Sequence, residues 1–332
     1  MATRYQIIRQ LADGRFHSGE ALAGSLGISR AAVWKHLKAL REQLHVDIHA
    51  VSGRGYRLAK PLELLDQTVI AKGLSPVAHA HVSELEIHDC IDSTNAYLMK
   101  RAAEGAPSGQ VCLAEQQTAG RGRRGREWVS PYGSNIYLSI LWRYSLAPAQ
   151  LSGLSLAAGV AVVRALKRLG VEAVGLKWPN DILWQEHKLA GLLLEVAGES
   201  EGPSRVVLGL GLNTNLSKEQ AGAIDQPWVD LAHVPGGQGV SRNRLVTELL
   251  EQLSTVLAGF EAEGLAPLLD EWHGYDLYHG RPISLRMANH SVEGIHQGID
   301  QTGALLLAAN GKVQAYHGGE VSLRPAPDSG EL

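Results

Sequence analysis

Only two cysteines, Cys90 and Cys112, occur in 332 residues, and no Cys/His run has a zinc-binding spacing. That excludes a disulfide scaffold and suits two buried, inert thiols in a reducing cytoplasm. The opening residues, MATRYQIIRQ, contain no apolar stretch of the secretory kind, so export is not expected. The longest apolar run, Leu151 to Val163, stops at Arg164, short of a bilayer's thickness, so no membrane partner is expected. HExxH, GxSxG and Walker A patterns are missing. GLGLN, Gly209 to Asn213, lacks the third glycine of a dinucleotide fingerprint and suits a strand with close backbone approach or a pocket wall. Net charge is only −3, which argues against a polyanion binder acting over the whole chain.

The charge that is present is unevenly placed. Residues 1–60 hold ten Lys and Arg against four Asp and Glu, +6, which leaves −9 for the rest. A small basic unit on an acidic body points to nucleic acid for the first sixty residues alone. Their pattern predicts three helices and a hairpin. Thr3 caps the first helix, through Ala12, with Ile7, Ile8 and Leu11 inward and Gly14 as the stop. Ser18 opens the second, and Gly27 turns the chain. Ser29 caps the third, where Val33, Leu37, Leu40 and Leu44 recur at helical spacing. The other face of that helix carries Arg30, Trp34, Lys35 and Lys38, and Gly53-Arg54-Gly55 tips the hairpin. This is the layout of a winged helix-turn-helix, in which the third helix, from Ser29 onward, enters the major groove and Arg54 meets phosphate. A helical adaptor with a solvated basic face would share the pattern.

The most unusual stretch is GRGRRGR, Gly120 to Arg126, with four arginines in seven residues. Glycine at that density holds neither helix nor strand well. Guanidinium forks pair with phosphate or carboxylate oxygens. The stretch reads either as a mobile loop that orders around an anionic ligand or as a solvated basic or nucleic-acid patch. Around it, strands and helices alternate from about Leu65 to Glu271, without the regular βαβ order of a Rossmann fold. Asp92-Ser93-Thr94-Asn95 sits at a strand-to-helix junction. KWPND, Lys177 to Asp181, precedes a hairpin whose turn is Glu186-His187-Lys188. Asn180 and Asp181 suit a magnesium ion, the orientation of a nucleophile, or a plain turn. Lys177 and Lys188 suit a phosphate in transit or a solvated surface. From Tyr275 to Arg324 short alternating strands (Pro282–Arg286, Ser291–Ile299, Ala304–Ala308, Val313–Tyr316 and Glu320–Leu323) predict a small β-barrel, followed from Pro325 by a frayed polar tail.

GRGRRG at Gly120–Gly125, DSTN at Asp92–Asn95, KWPND at Lys177–Asp181, KLAGLLLE at Lys188–Glu195 and GLGLN at Gly209–Asn213 occur in that order. With the winged helix and a final GGEVSLR, the chain resembles the BirA family of bifunctional biotin–protein ligases and biotin-operon repressors along nearly its whole length. The resemblance implies three domains: a winged helix-turn-helix over 1–62, a class II synthetase-like α+β catalytic domain with a mixed sheet over 65–271, and an SH3-like small β-barrel over 274–325. It implies a biotin–[acetyl-CoA-carboxylase] ligase that uses Mg2+ and ATP to make biotinyl-5′-AMP and transfers biotin to a lysine of the biotin carboxyl carrier protein. The intermediate is also the corepressor, favouring a homodimer that binds operator DNA. Lys188, Arg121 and Arg123 would be catalytic. Ser93, Thr94, Asn95, Gln117 and Gly122, with those three, would contact biotin. Trp128, Lys177, Asn180 and Asn213, again with the three cations, would hold ATP or the adenylate, and Asp181 would be a metal ligand. A lipoate or octanoate transferase of the same fold, or a ligand-sensing transcription factor without ligase activity, are the competing readings.

Overall fold

The computed structural model describes residues 2–44, 46–287, 290–318 and 322–325. The N-terminal part contains α1 (Ala2–Leu11), α2 (Gly19–Leu26), α3 (Arg30–Leu44) and a hairpin of β1 (Ile48–Val51) and β2 (Gly55–Leu58). Thr3 lies inside the first turn of α1, one residue past its start, so it is not the expected cap. The other two caps are present. Ser18 Oγ accepts from Ala21 N at 3.0 Å and Ser29 Oγ from Ala32 N at 3.2 Å, each satisfying a donor that the helix leaves open. Gly27 ends α2 in the left-handed region, φ 64°. Ile7, Ile8, Leu22, Val33, Leu37 and Leu40 close a separate small core. Gly55 has φ 102°, and a Cβ there would overlap the carbonyl of His17, to which the wing is bonded through Tyr56.

This unit is docked on the rest of the chain. Tyr5 stacks on Tyr132 with ring centroids 5.6 Å apart, and its hydroxyl donates to Gln116 Oε1 at 3.3 Å. Arg9 pairs with Asp89 at 2.9 Å. The contacts fall beside Gln117 rather than at a distance from it.

Next come α4 (Gln67–Gly73), α5 (Pro76–His81), β3 (Glu84–His88), α6 (Thr94–Ala103), β4 (Gln110–Ala114), β5 (Asn135–Tyr144), α7 (Leu154–Arg168), β6 (Gly175–Lys177), β7 (Asp181–Trp184), β8 (His187–Gly198), β9 (Ser204–Asn213), α8 (Arg242–Glu263) and α9 (Leu269–Tyr275). The strands form one seven-stranded sheet in the order β3-β4-β5-β9-β8-β7-β6. β3 and β4 pair in parallel and every other neighbour is antiparallel, so the expected mixed sheet is present. One face packs on α7 and α8, the other on α6.

The segment Pro148–Arg168 is long and apolar enough to cross a bilayer by length and composition, further than the run ending at Val163 suggested. Its helix, α7, instead lies buried between the sheet and α8, with eleven of fifteen residues hidden from solvent. Cys112 is fully buried under α6, and burial pushes its thiol well up, as expected for an inert cysteine; Cys90 is half-buried.

The last strands are β10 (Pro282–Arg286), β11 (Ser291–Ile299), β12 (Leu305–Ala309), β13 (Lys312–Tyr316) and β14 (Ser322–Pro325). They form an antiparallel sheet in the order β13-β12-β11-β10-β14. Among the described residues no ladder joins β13 to β14. Glu320 and the polar tail from residue 326 lie outside the described residues. This sheet docks on KWPND: Trp178 Nε1 donates to Gly303 O at 3.1 Å.

Candidate active site

Alternation along β9 decides where a hollow can form. Val206, Leu208, Leu210 and Leu212 face α7 and α8, and Val207, Gly209, Gly211 and Asn213 face the other way. Two glycines on that second face leave space where α6 no longer covers the sheet. A Cβ on Gly209 would overlap the Asn95 amide, and one on Gly211 would overlap the Trp128 indole. With Asn95 and Trp128 seated against these glycines, they line a cavity of about 370 Å³. All thirteen residues expected to touch biotin, adenylate or metal line it, from Ser93 to Asn213.

One end of the cavity is neutral and finely hydrogen-bonded. Ser93 caps α6, which brings Thr94 and Asn95 to its first turn. Gln117 Oε1 accepts from Thr94 N at 2.9 Å, and Gln117 Nε2 donates to Ser130 Oγ at 3.1 Å. Ser139, buried on β5, lies 2.7 Å from Thr94 Oγ1 and 2.6 Å from Asn95 Oδ1. Hydroxyls and amides fixed in this way offer donors and acceptors together.

The other end is cationic. Lys188 was expected on a turn; the structure places it within β8. The turn is Gln185-Glu186, with φ 45° and 67°, the two-residue geometry that matches strand twist. A strand position fixes the side chain's direction. The Lys188 backbone is further held by bonds of 3.0 Å to Pro227 O and Val229 N. Its Nζ lies 2.6 Å from Asp181 Oδ1 and 5.4 Å from the centroid of the Trp128 ring. Burial pushes the Lys177 ammonium down to about 8, against the pull of Asp181. Arg123 donates to Asn180 Oδ1 at 3.1 Å, and burial pushes its guanidinium below the ordinary value. Arg121 pairs with Glu195 at 3.2 Å.

The glycine–arginine stretch folds over the cavity. A bridge between Arg121 and Glu127 closes its base, and Arg123–Gly125 form one tight turn with Arg124 at φ 60°. Trp128 then stands on Gly191 and Gly211 as a wall. Asn213 lines the same space, but its amide nitrogen is spent on Lys188 O and Val229 O, so it braces the floor.

Other contributors lie outside the motifs expected to act. They are Ala223–Gln226 with Trp228, and Arg324 from β14. Loop residues of mixed polarity give no spacing signal, and Arg324 reaches the cavity only through the docking of the last sheet. Asp181 is the only expected metal ligand, and it is engaged by Lys188. Among the described residues no group of three or more His, Cys, Asp or Glu could hold a metal ion. A divalent cation here would take most of its ligands from a nucleotide's phosphates and water.

Some 60 residues away in sequence, the cap Ser29 and, on α3, Arg30, Trp34, Lys35 and Lys38 are exposed to solvent. Trp34 is 58% exposed, with the Lys38 ammonium 6.0 Å from its ring centroid. Arg54 lies over the Phe16 ring at 4.3 Å, at the wing.

A helix-turn-helix joined to a mixed-sheet domain, whose cavity has a neutral hydrogen-bonding end and a cationic end under an arginine flap, defines a DNA-binding protein with an acid-activating ligase site. Residues 87–213 match the Biotin/lipoate A/B protein ligase family, residues 3–57 an HTH domain and residues 278–324 the Biotin protein ligase C terminal domain. The chain is 42% identical to the bifunctional ligase/repressor BirA of Escherichia coli over 97% of each chain. It is 31% identical to that of Bacillus subtilis over 94% of this chain and 95% of the relative. Biotin protein ligase from Aquifex aeolicus, solved with biotin and ATP, covers 74% of this chain and all of its own, at TM-score 0.62 and 27% identity. The chain belongs to the BirA family of bifunctional biotin–protein ligases and biotin-operon repressors.

Proposed function

We infer that this protein activates biotin with ATP to biotinyl-5′-AMP, transfers biotin to a lysine of the acetyl-CoA carboxylase carrier subunit, and represses a biotin operon with the intermediate as corepressor. The observation that carries the site assignment is the convergence of Lys188, Lys177, Arg121 and Arg123 on one cavity with the Ser93–Asn95 segment and Gln117. Biotin's ureido ring takes the neutral end, meeting Ser93, Thr94, Asn95 and Gln117. Its carboxylate and the α-phosphate of Mg-ATP, two anions, meet among the cations. Positive charge placed at that meeting point is the main catalytic requirement. Attack by the carboxylate oxygen forms the mixed anhydride and releases pyrophosphate. The flap, with Arg121, Gly122 and Arg123, then covers the anhydride and keeps water away. The carrier lysine's amine attacks the acyl carbon, and AMP leaves. Trp128, Lys177 and Asn180 are assigned to the adenylate, with Asn213 beneath it, and Asp181 to the metal carried by the nucleotide.

Incubation with biotin and ATP should release pyrophosphate, and carrier protein should gain the mass of one biotinyl group. No pyrophosphate would leave a ligand-sensing repressor; transfer of lipoate or octanoate alone would make it the related transferase.

Lys177 gives this activity a pH limit. Its charge is lost as pH rises through about 8, so the KM for ATP should climb above that pH, and Lys177→Arg should flatten the profile. The same depression, from an ordinary 10.5, costs stability below about 8, and that cost is relieved as pH rises from about 8 to 10.5, where the unfolded chain holds the extra proton.

Operator recognition is assigned to Ser29, Arg30, Trp34, Lys35 and Lys38 on α3, with Arg54 on phosphate. Arg54→Ala should weaken binding to all operator variants alike and reduce the slope of log K against log salt by about one. A sequence-selective loss would place Arg54 on a base instead. Residues 193–198 of β8 extend past β7, and that side has no strand partner among the described residues. A free edge of this kind is a pairing surface. We assign it to a homodimer and, in competition, to the carrier protein. The domain limits 1–62, 65–271 and 274–325, a cytoplasmic location, and an SH3-like small β-barrel for the last five strands complete the reading.

A further inference from the structure

Glu195 is a carboxylate bonded to two residues, Asn95 and Arg121, that line a cavity which must accept two anions. Repulsion alone would disfavour it there. Its two oxygens are divided between two elements. Oε2 accepts from Asn95 Nδ2 at 2.8 Å, and Oε1 accepts from Arg121 Nη1 at 3.2 Å. Asn95 is buried, and its own direction is fixed. Its Oδ1 faces Ser139 Oγ at 2.6 Å, which turns Nδ2 toward Glu195 and Leu193 O. A continuous chain therefore runs from the sheet through Asn95 and Glu195 to the first arginine of the flap. Another polar tie of the flap to the cavity floor is Arg123 on Asn180.

We propose that Glu195 is a positioning residue that tethers the arginine flap, through Arg121, to the Asn95 segment. Resting on the assignment of Asn95 to biotin and Arg121 to the adenylate, this makes Glu195 the link by which an ordered biotin end holds the lid over the anhydride. The glycines of the flap make such a link necessary, because the backbone has little stiffness of its own. Two half-exposed charged groups bonded at one point form a weak tie, but the neutral, buried Asn95 holds the carboxylate in place before Arg121 arrives, which lowers the entropy lost in closing.

The test uses the full chain. Trypsin cleaves after the flap arginines, so the initial rate of cleavage within residues 121–126, without any ligand, reports flap opening. Glu195→Gln should raise that rate about three- to tenfold, with cleavage elsewhere and the denaturant midpoint unchanged. Dissociation of biotinyl-AMP should accelerate by a similar factor, and the acceleration should vanish in an Arg121→Ala background. Glu195→Asp keeps the charge but is too short to reach both partners, and should also open the flap; it decides the matter if the Gln variant folds poorly. Wild-type cleavage in both variants would overturn the proposal. So would an equal effect of Glu195→Gln with and without Arg121, since that marks a general structural role. Failure to bind biotinyl-AMP at all would count against the ligase assignment, while the ligand-free cleavage rate still decides the role of Glu195.

Discussion

Lys188→Gln should lower the rate of pyrophosphate release from biotin and ATP by about a hundred- to a thousandfold. The Nζ is held at the cavity floor, on a residue whose backbone is paired with β7 on one edge and bonded to Pro227 and Val229 on the other. Removing it costs more than one charge. Asp181, 2.6 Å away, would be left unpaired in a space that two further anions must enter. The double variant Lys188→Gln, Asp181→Asn should therefore recover part of the loss. Lys188→Arg should not restore activity fully. The Lys188 side chain and the Trp128 ring already crowd the place where a Cβ on Gly191 would stand, and a planar guanidinium needs more room than an ammonium. Transfer from supplied biotinyl-AMP should fall less, because a neutral amine then attacks and no second anion has to be brought in. Pyrophosphate release near the wild-type rate would remove Lys188 from the first step.

What could be read in the chain, and what could not, follows from the range of the interactions. The helix-turn-helix was legible because its caps, turn and apolar spacing are local. Ser18, Gly27 and Ser29 do in the structure what their neighbours imply. The cavity residues were legible through short motifs, each set by one turn or one strand. GLGLN was the ambiguous case. Its meaning as a floor emerges only when Asn95 and Trp128, far away in sequence, are seen to occupy the space its glycines leave. Lys188 was assigned to the turn because Glu186-His187 looks polar enough to be one, and the shift of two residues changes a flexible position into a fixed one. Glu195, Arg324 and the docking of Tyr5 on Tyr132 depend on packing between separate units, which no local pattern carries.

Glu115→Ala should lower the unfolding free energy by about 3–5 kcal/mol, read as a fall in the denaturant midpoint with an unchanged slope. Glu115 has a fully buried side chain and lies 2.8 Å from Arg242, whose side chain is 7% exposed. Taking two charges out of water is repaid only where both are fully bonded. Here they are. Arg242 also donates to Glu63 O and Asn135 O, each at 2.7 Å, and Glu115 accepts from Leu65 N at 2.6 Å. The pair thus binds the segment after the winged helix, the end of β4, the start of β5 and the first turn of α8. Loss of the carboxylate strands a guanidinium in the core and the Leu65 N–H with it. Arg242→Met alone strands the carboxylate and should cost a comparable amount. The double variant Glu115→Leu, Arg242→Met removes both charges and should be less destabilised than either single one, which a merely additive packing defect would not allow. Glu115 also precedes Gln116, which meets Tyr5 of the DNA-binding unit, and Gln117, which holds Thr94. A variant that survives at low temperature should therefore lose biotin retention and operator binding together, because one buried pair fixes the strand end that serves both.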